Sequence, residues 1–190
     1  MTPLEGLRIG FLVANEGIEQ VELVEPWEAV EKAGGRPFLV APEEGEVQMM
    51  HHLDKADRRR VDRRTDEVRV SDVDALVLPG GVANPDRLRQ DQPAVSLVRD
   101  ASEAGILVAA ICHAPWTLVE ADVVRGRTLT SWPSLKTDIR NAGGHWADDK
   151  VVVDRQGTNV LVTSRKPDDL ADFCAALVEE IAAVCLQGGE

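Results

Sequence analysis

The chain has 190 residues, 44% of them hydrophobic and 28% charged, with a formal net charge of −12. That length suits one domain with a sizeable core, and the composition is globular rather than disordered or membrane-like. The acidic balance argues against a nucleic-acid binder, whose phosphates it would repel.

The opening MTPLEGLRIGFLVA carries no basic leader, and its apolar run is too short for a signal peptide. No stretch reaches the length of a membrane span. Three cysteines, Cys112, Cys174 and Cys185, form no paired spacing, so free thiols and a cytoplasmic setting are expected.

Strand-like and helix-like segments alternate along the chain. LRIGFLVA (7–14) reads as a strand, and IEQVELVEPWEAVEKA (18–33) as an amphipathic helix with Pro26 as a candidate kink. Gly34 and Gly35 stop it. RPFLVA (36–41) is a second strand. The stretch 42–66 has the least pattern and reads as a charged excursion; its arginines, Arg58, Arg59, Arg60, Arg63 and Arg64, suit a solvated loop or hairpin, with subunit contact or anion binding as the functional alternative.

DALVLPGG (74–81) is a strand closing on a glycine pair, followed by a helix over 92–105 and a strand over 106–111. Helices are expected over 114–124 and 133–142, a hairpin from 150–154 with 158–164, and a terminal helix over 168–185. This alternation predicts one α/β domain, a three-layer sandwich with a mostly parallel sheet and helices on both faces.

In such sheets ligands bind beyond the carboxyl ends of the strands. There, Ala110-Ile111-Cys112-His113-Ala114 has the small-x-nucleophile-x-small pattern of a strained elbow that exposes its central residue. A helix N-terminus behind Cys112 would lower its pKa and favour the thiolate. The plainer reading is a buried structural thiol.

Pro79-Gly80-Gly81 ends a neighbouring strand, where backbone N–H groups can hold an oxyanion, although a glycine pair alone marks only a tight turn. In NEGIEQVE (15–22), Glu16, Glu19 and Glu22 crowd a helix start, which suits the dipole. A buried, protonated one would donate a hydrogen bond to a thiolate, and spacing leaves open which one turns inward. His51 and His52 lack further ligands at metal-binding spacing, and His145 suits either a pocket or the surface. Cys174 and Cys185 share a helix face with Leu177 and Ile181, which predicts core packing.

NEGIEQVEL, ALVLPGGVANPD, AAICHAPW and TSWPSLKTDIRNAGGHW, in this order, resemble the PfpI family of intracellular proteases. That family lies in the superfamily of the Parkinson-associated deglycase, with a class I glutamine amidotransferase-like, flavodoxin-like fold. The resemblance spans nearly the whole chain and implies one PfpI-type domain over 1–190. It implies Cys112 as nucleophile, His113 as its histidine and Glu22 beside the thiol. Gly81, of the Gly80-Gly81 turn, and the backbone of His113 would form the oxyanion hole. It also implies a homo-oligomer in which Asp86 reaches His113 of a neighbouring subunit. Ala114 departs from the family's usual glycine, and its methyl group is expected to narrow the pocket.

No cofactor or metal is implied. The expected function is that of a stress-associated cytoplasmic cysteine hydrolase acting on peptides or small carbonyl compounds, as protease, deglycase or glyoxalase. The alternative is a redox sensor or chaperone that works through oxidation of Cys112 without turnover.

Overall fold

A computed structural model describes residues 2–187. In chain order the elements are β1 (Arg8–Leu12), β2 (Glu16–Glu19), α1 (Gln20–Lys32), β3 (Arg36–Ala41), β4 (Glu46–His51), β5 (Asp54–Arg60), β6 (Arg63–Arg64) and β7 (Ala75–Leu78). Then come α2 (Ala83–Leu88), α3 (Gln92–Glu103), β8 (Leu107–Ile111), α4 (Pro115–Glu120), β9 (Thr128–Leu129), α5 (Lys136–Asn141), β10 (His145–Trp146), β11 (Val151–Asp154), β12 (Leu161–Ser164) and α6 (Leu170–Gln187).

The main sheet runs β11-β12-β8-β7-β1-β3-β6, and only β11 is antiparallel to its neighbour. Its central strands are apolar on both faces, as burial between two helical layers requires. Ile9, Phe11, Val77 and Ile111 point into one core with Leu23, Trp27 and Val30 of α1 and Phe173, Leu177 and Ile181 of α6. Leu12, Leu76, Leu78 and Val108 point into the other, against Val95 and Val98 of α3, Leu118 of α4 and Ile139 of α5. The three-layer α/β sandwich read from the sequence is the observed architecture.

Crossovers on opposite faces leave from β1 and β7. The crevice at the carboxyl ends of these strands is therefore the place where the fold offers a binding site. Pro26 stays inside α1, where its missing N–H frees the carbonyl of Glu22 from its helical bond.

Several local expectations change. Residues 16–19 form β2, so α1 starts at Gln20 rather than at residue 18. β2 pairs with β4, and β4 with antiparallel β5, so most of the unpatterned 42–66 stretch is an ordered hairpin in a second, three-stranded sheet. β5 reads DKADRRR and lies mostly exposed, with no buried face to impose alternation. Arg59 nevertheless stacks on Trp27 of α1, 3.6 Å from the ring centroid, and ties the hairpin to the core.

The helix expected over 114–124 shortens to α4, and that over 133–142 starts as a 3₁₀ turn. Cys174 and Cys185 are both half-buried on α6; Cys185 packs against the core as expected, whereas Cys174 does not join it.

Phe173 is fully buried where α6 meets the sheet. Phe173→Ala should cost about 3–5 kcal/mol, read as a lower denaturant midpoint, whereas Arg59→Ala should cost no more than about 1–2 kcal/mol.

Candidate active site

Cys112 follows β8 directly and has φ 63°, in the left-handed region that L-residues with a side chain rarely enter. The expected elbow is present. It is held from both sides: the Cys112 N–H donates to the Ser164 carbonyl at 3.0 Å, and its carbonyl accepts from the Trp132 N–H at 2.9 Å. Two anchored neighbours thus over-determine a strained residue, as such strain requires. Ala114 has helical φ and is buried in the core beneath α4. Its methyl packs there and does not line the pocket, contrary to the expected narrowing.

Beyond β7, Gly80 fits between two buried side chains. A Cβ on it would collide with Glu22 Oε2 and lie 2.6 Å from the Cys112 Cβ. Gly81 has φ 88°, and a Cβ there would strike the Gly17 carbonyl oxygen. Both glycines are needed for close approach as well as for the turn.

The bolt of this turn is Asn84, which is fully buried. Its Nδ2 donates to the carbonyls of Pro79 (2.9 Å) and Gly80 (3.0 Å), and its Oδ1 accepts from the Ala14 N–H (2.7 Å). One amide thereby joins the ends of β1 and β7. The sequence reading missed Asn84, and an asparagine after a turn gives no local sign of such a role.

Glu22, in the first turn of α1, is the carboxylate that turns toward Cys112, and it is fully buried; Glu19 is also buried and lines the same cavity. Neither of its oxygens has a partner within normal hydrogen-bond geometry. Looser contacts to Cys112 and to the Gly80 and Gly81 N–H groups offset burial only in part, so its pKa rises to about 8. Glu22 is therefore protonated at neutral pH.

Cys112 departs from expectation. Burial first, and the Glu22 carboxyl second, hold its thiol above the ordinary range, while the N–H groups of Gly81 and His113 pull the other way with less effect. The expected dipole is weak because α4 has only six residues and begins with a proline that has no N–H to offer. The resting thiol is protonated. Burial also raises Cys174 and Cys185.

His113 does reach its neighbour: its Nδ1 lies 3.2 Å from Cys112 Sγ. Its ring stacks on Trp132, with centroids 5.6 Å apart, and meets the edge of Trp116 at 5.3 Å. This clamp turns and holds the imidazole within one chain. Trp132 and Trp116 lie in the quoted motifs, but their roles depend on contacts that spacing does not reveal. Burial lowers His113 to about 4, so the imidazole is neutral and able to accept a proton.

Asp86 is exposed on α2 and is not brought to His113 of its own chain. His145 is at the surface. His52, at the turn of the β4–β5 hairpin, joins the pocket, and its N–H donates to Glu19 Oε2 at 3.0 Å. Cys112, His113, Glu22 and Gly81 form the floor of a cavity of about 320 Å³.

The sequence pattern of the DJ-1/PfpI family matches residues 7–180. The chain belongs to this family. It is 40% identical over 164 residues to the deglycase PfpI of Pyrococcus furiosus, which covers 86% of this chain and 93% of that protein. It is 39% identical over 166 residues to protein/nucleic acid deglycase 2 of Escherichia coli K12, covering 87% and 92%.

Among solved structures it resembles a two-domain protein of Anabaena variabilis with DJ-1/ThiJ/PfpI-like and ferritin-like domains. The TM-score is 0.82 at 32% identity, over 91% of this chain and 47% of that one. Drosophila melanogaster DJ-1beta gives a TM-score of 0.79 at 29% identity, over 93% and 90%. No helix among the described residues is long and apolar enough to cross a membrane.

The raised pKa of Glu22 makes stability depend on pH. The folded chain holds a proton that the unfolded chain releases near 4.5, so stability should fall as pH rises from about 4.5 to about 8. Glu22→Gln should flatten this fall and exceed the parent above pH 8 by a few kcal/mol, as read by denaturation midpoints between pH 5 and 9.

Proposed function

We propose that this chain is a cytoplasmic, PfpI-type deglycase in which Cys112 attacks a carbonyl carbon. The observation that carries the reading is the strained Cys112, with His113 Nδ1 at 3.2 Å and the Glu22 carboxyl against it, on the floor of an open cavity. Support also comes from the named deglycases that this chain matches over most of its length.

In this reading the thiol stays protonated until a substrate arrives. Sγ then adds to the carbonyl carbon as its proton passes to His113 Nδ1. The developing oxyanion takes over the N–H groups of Gly81 and His113, which otherwise face the sulfur. Glu22, protonated, donates a hydrogen bond and adds no second negative charge. The adducts in question form when an α-oxoaldehyde adds to an amine or thiol. Adduct plus one water gives the free amine or thiol and a 2-hydroxy acid.

The redox alternative draws less support, because thiol oxidation runs through the thiolate and burial disfavours that form here.

A His113 lowered to about 4 keeps a transferred proton poorly unless a carboxylate stabilises the imidazolium. We assign that task to Asp86 of a second copy of the chain, since its side chain is exposed.

Cys112→Ser should abolish release of 2-hydroxy acid from glyoxal- and methylglyoxal-treated amines, by about a thousandfold or more. Native protein that turns over neither these adducts nor casein, yet is rapidly sulfinylated by peroxide, would favour the redox alternative. Glu22→Gln should retain activity within about tenfold, and Glu22→Ala should lose clearly more, because only glutamine keeps a donor.

Asp86→Ala should lower activity without lowering the unfolding midpoint. Sedimentation should show an oligomer whose dilution also lowers specific activity. A fully active monomer overturns the role of Asp86.

A further inference from the structure

Three large hydrophobic side chains are markedly exposed among the described residues: Leu53 at 93%, Val82 at 59% and Trp132 at 38%. Scattered singly, such residues need no explanation. Here all three line the cavity above Cys112, although they come from three distant parts of the chain. Leu53 sits at the tip of the β4–β5 hairpin, Val82 follows the Gly80-Gly81 turn, and Trp132 covers His113. Met50 and Pro167 extend the same apolar wall.

Charge is distributed the opposite way. The chain carries 21 lysines and arginines, and none of them lines this cavity. Its ionisable carboxylates are Glu19 and Glu22, both buried. A substrate bearing a carboxylate would find no lysine or arginine there and would face the Glu19 carboxylate, which His52 Nδ1 already approaches at 4.0 Å. The cavity, at about 320 Å³, falls within the range of sites that enclose drug-sized ligands, and a two- or three-carbon oxoaldehyde leaves most of it empty.

We propose that the site selects uncharged α-oxoaldehydes, and adducts of them, that carry an aryl or branched alkyl group, and that Leu53 and Val82 are the specificity-determining residues. The inference rests on the reading of Cys112 as a nucleophile toward carbonyl carbon. The substrate's carbonyl meets Sγ on the floor, and its apolar group lies against Leu53, Val82 and the exposed part of Trp132. Burying that group supplies binding energy at the mouth, so the preference should appear mainly in KM.

Two arms test this and separate it from the underlying mechanism. In the first, kcat/KM is compared for phenylglyoxal, methylglyoxal and glyoxylate, using native protein and the double variant Leu53→Ser, Val82→Ser. Both positions are exposed, so folding should be preserved. Native protein should prefer phenylglyoxal to methylglyoxal by about tenfold and reject glyoxylate. The double variant should lose most of the phenylglyoxal preference while its methylglyoxal turnover stays within about twofold. Equal use of phenylglyoxal and methylglyoxal by native protein overturns the inference and leaves the mechanism standing, as does a variant that loses both alike.

The second arm needs no turnover. Alkylation of Cys112 by 2-iodo-N-phenylacetamide, iodoacetamide and iodoacetate is normalised to the rates with glutathione. The expected order is phenyl first and carboxylate last, with the phenyl advantage lost in the double variant. No selection among the three reagents overturns the inference even where the oxoaldehydes are not turned over, an outcome that would separately remove the carbonyl reading. Sedimentation of the double variant should match the native protein; dissociation would mean that the apolar rim joins two copies of the chain instead, and would likewise overturn it.

Discussion

The site depends on one steric constraint: residue 80 has no side chain. The backbone beyond β7 passes so close to Glu22 and Cys112 that a single methyl group would displace both. That closeness presses a carboxyl and a thiol into one water-poor space and brings the Gly81 N–H to the sulfur. Asn84 secures the approach by tying the carbonyls of Pro79 and Gly80 to the end of β1. Gly17 closes the other side, where its carbonyl fills the space that a side chain on Gly81 would need.

The electrostatics follow from this crowding. Two acids that share a dry site cannot both ionise without each opposing the other, and burial penalises both before they interact. A neutral imidazole beside them adds an acceptor without adding charge. The resting centre is therefore electrically quiet. In the proposed reaction, activation then depends on moving one proton over a few ångströms rather than on a standing thiolate.

Much of this was legible in the sequence because it was periodic or local. Apolar runs alternating with amphipathic stretches predicted the sandwich, and the small residues flanking Cys112 predicted the elbow. The inward turn of Glu22 came from resemblance, since spacing alone could not choose among three glutamates. Asn84 and Trp132 escaped because each acts on a partner far away or around a bend, where no period records the contact. The β4–β5 hairpin escaped because an exposed strand such as DKADRRR has no buried face to write an alternation. The thiol's acidity was misjudged for a related reason. A local pattern suggests a helix behind the cysteine, but it reports neither how short that helix is nor how deeply the sulfur is buried.

The hairpin has a further consequence. It stands outside the main sheet, held by β2 along one edge and by the stacking of Arg59 on Trp27, and its tip reaches the mouth of the cavity. The elbow and the part that frames the cavity mouth thus belong to separate sheets, although Val47 and Met49 of β4 share the core of α1 and α6. Leu53 at the tip is 93% exposed, so a substitution there alters the cavity mouth without disturbing the elbow, the glycine turn or the buried carboxyl. The rim of the cavity can then change chemistry through a few exposed residues at a tip whose strands stay anchored in the common core.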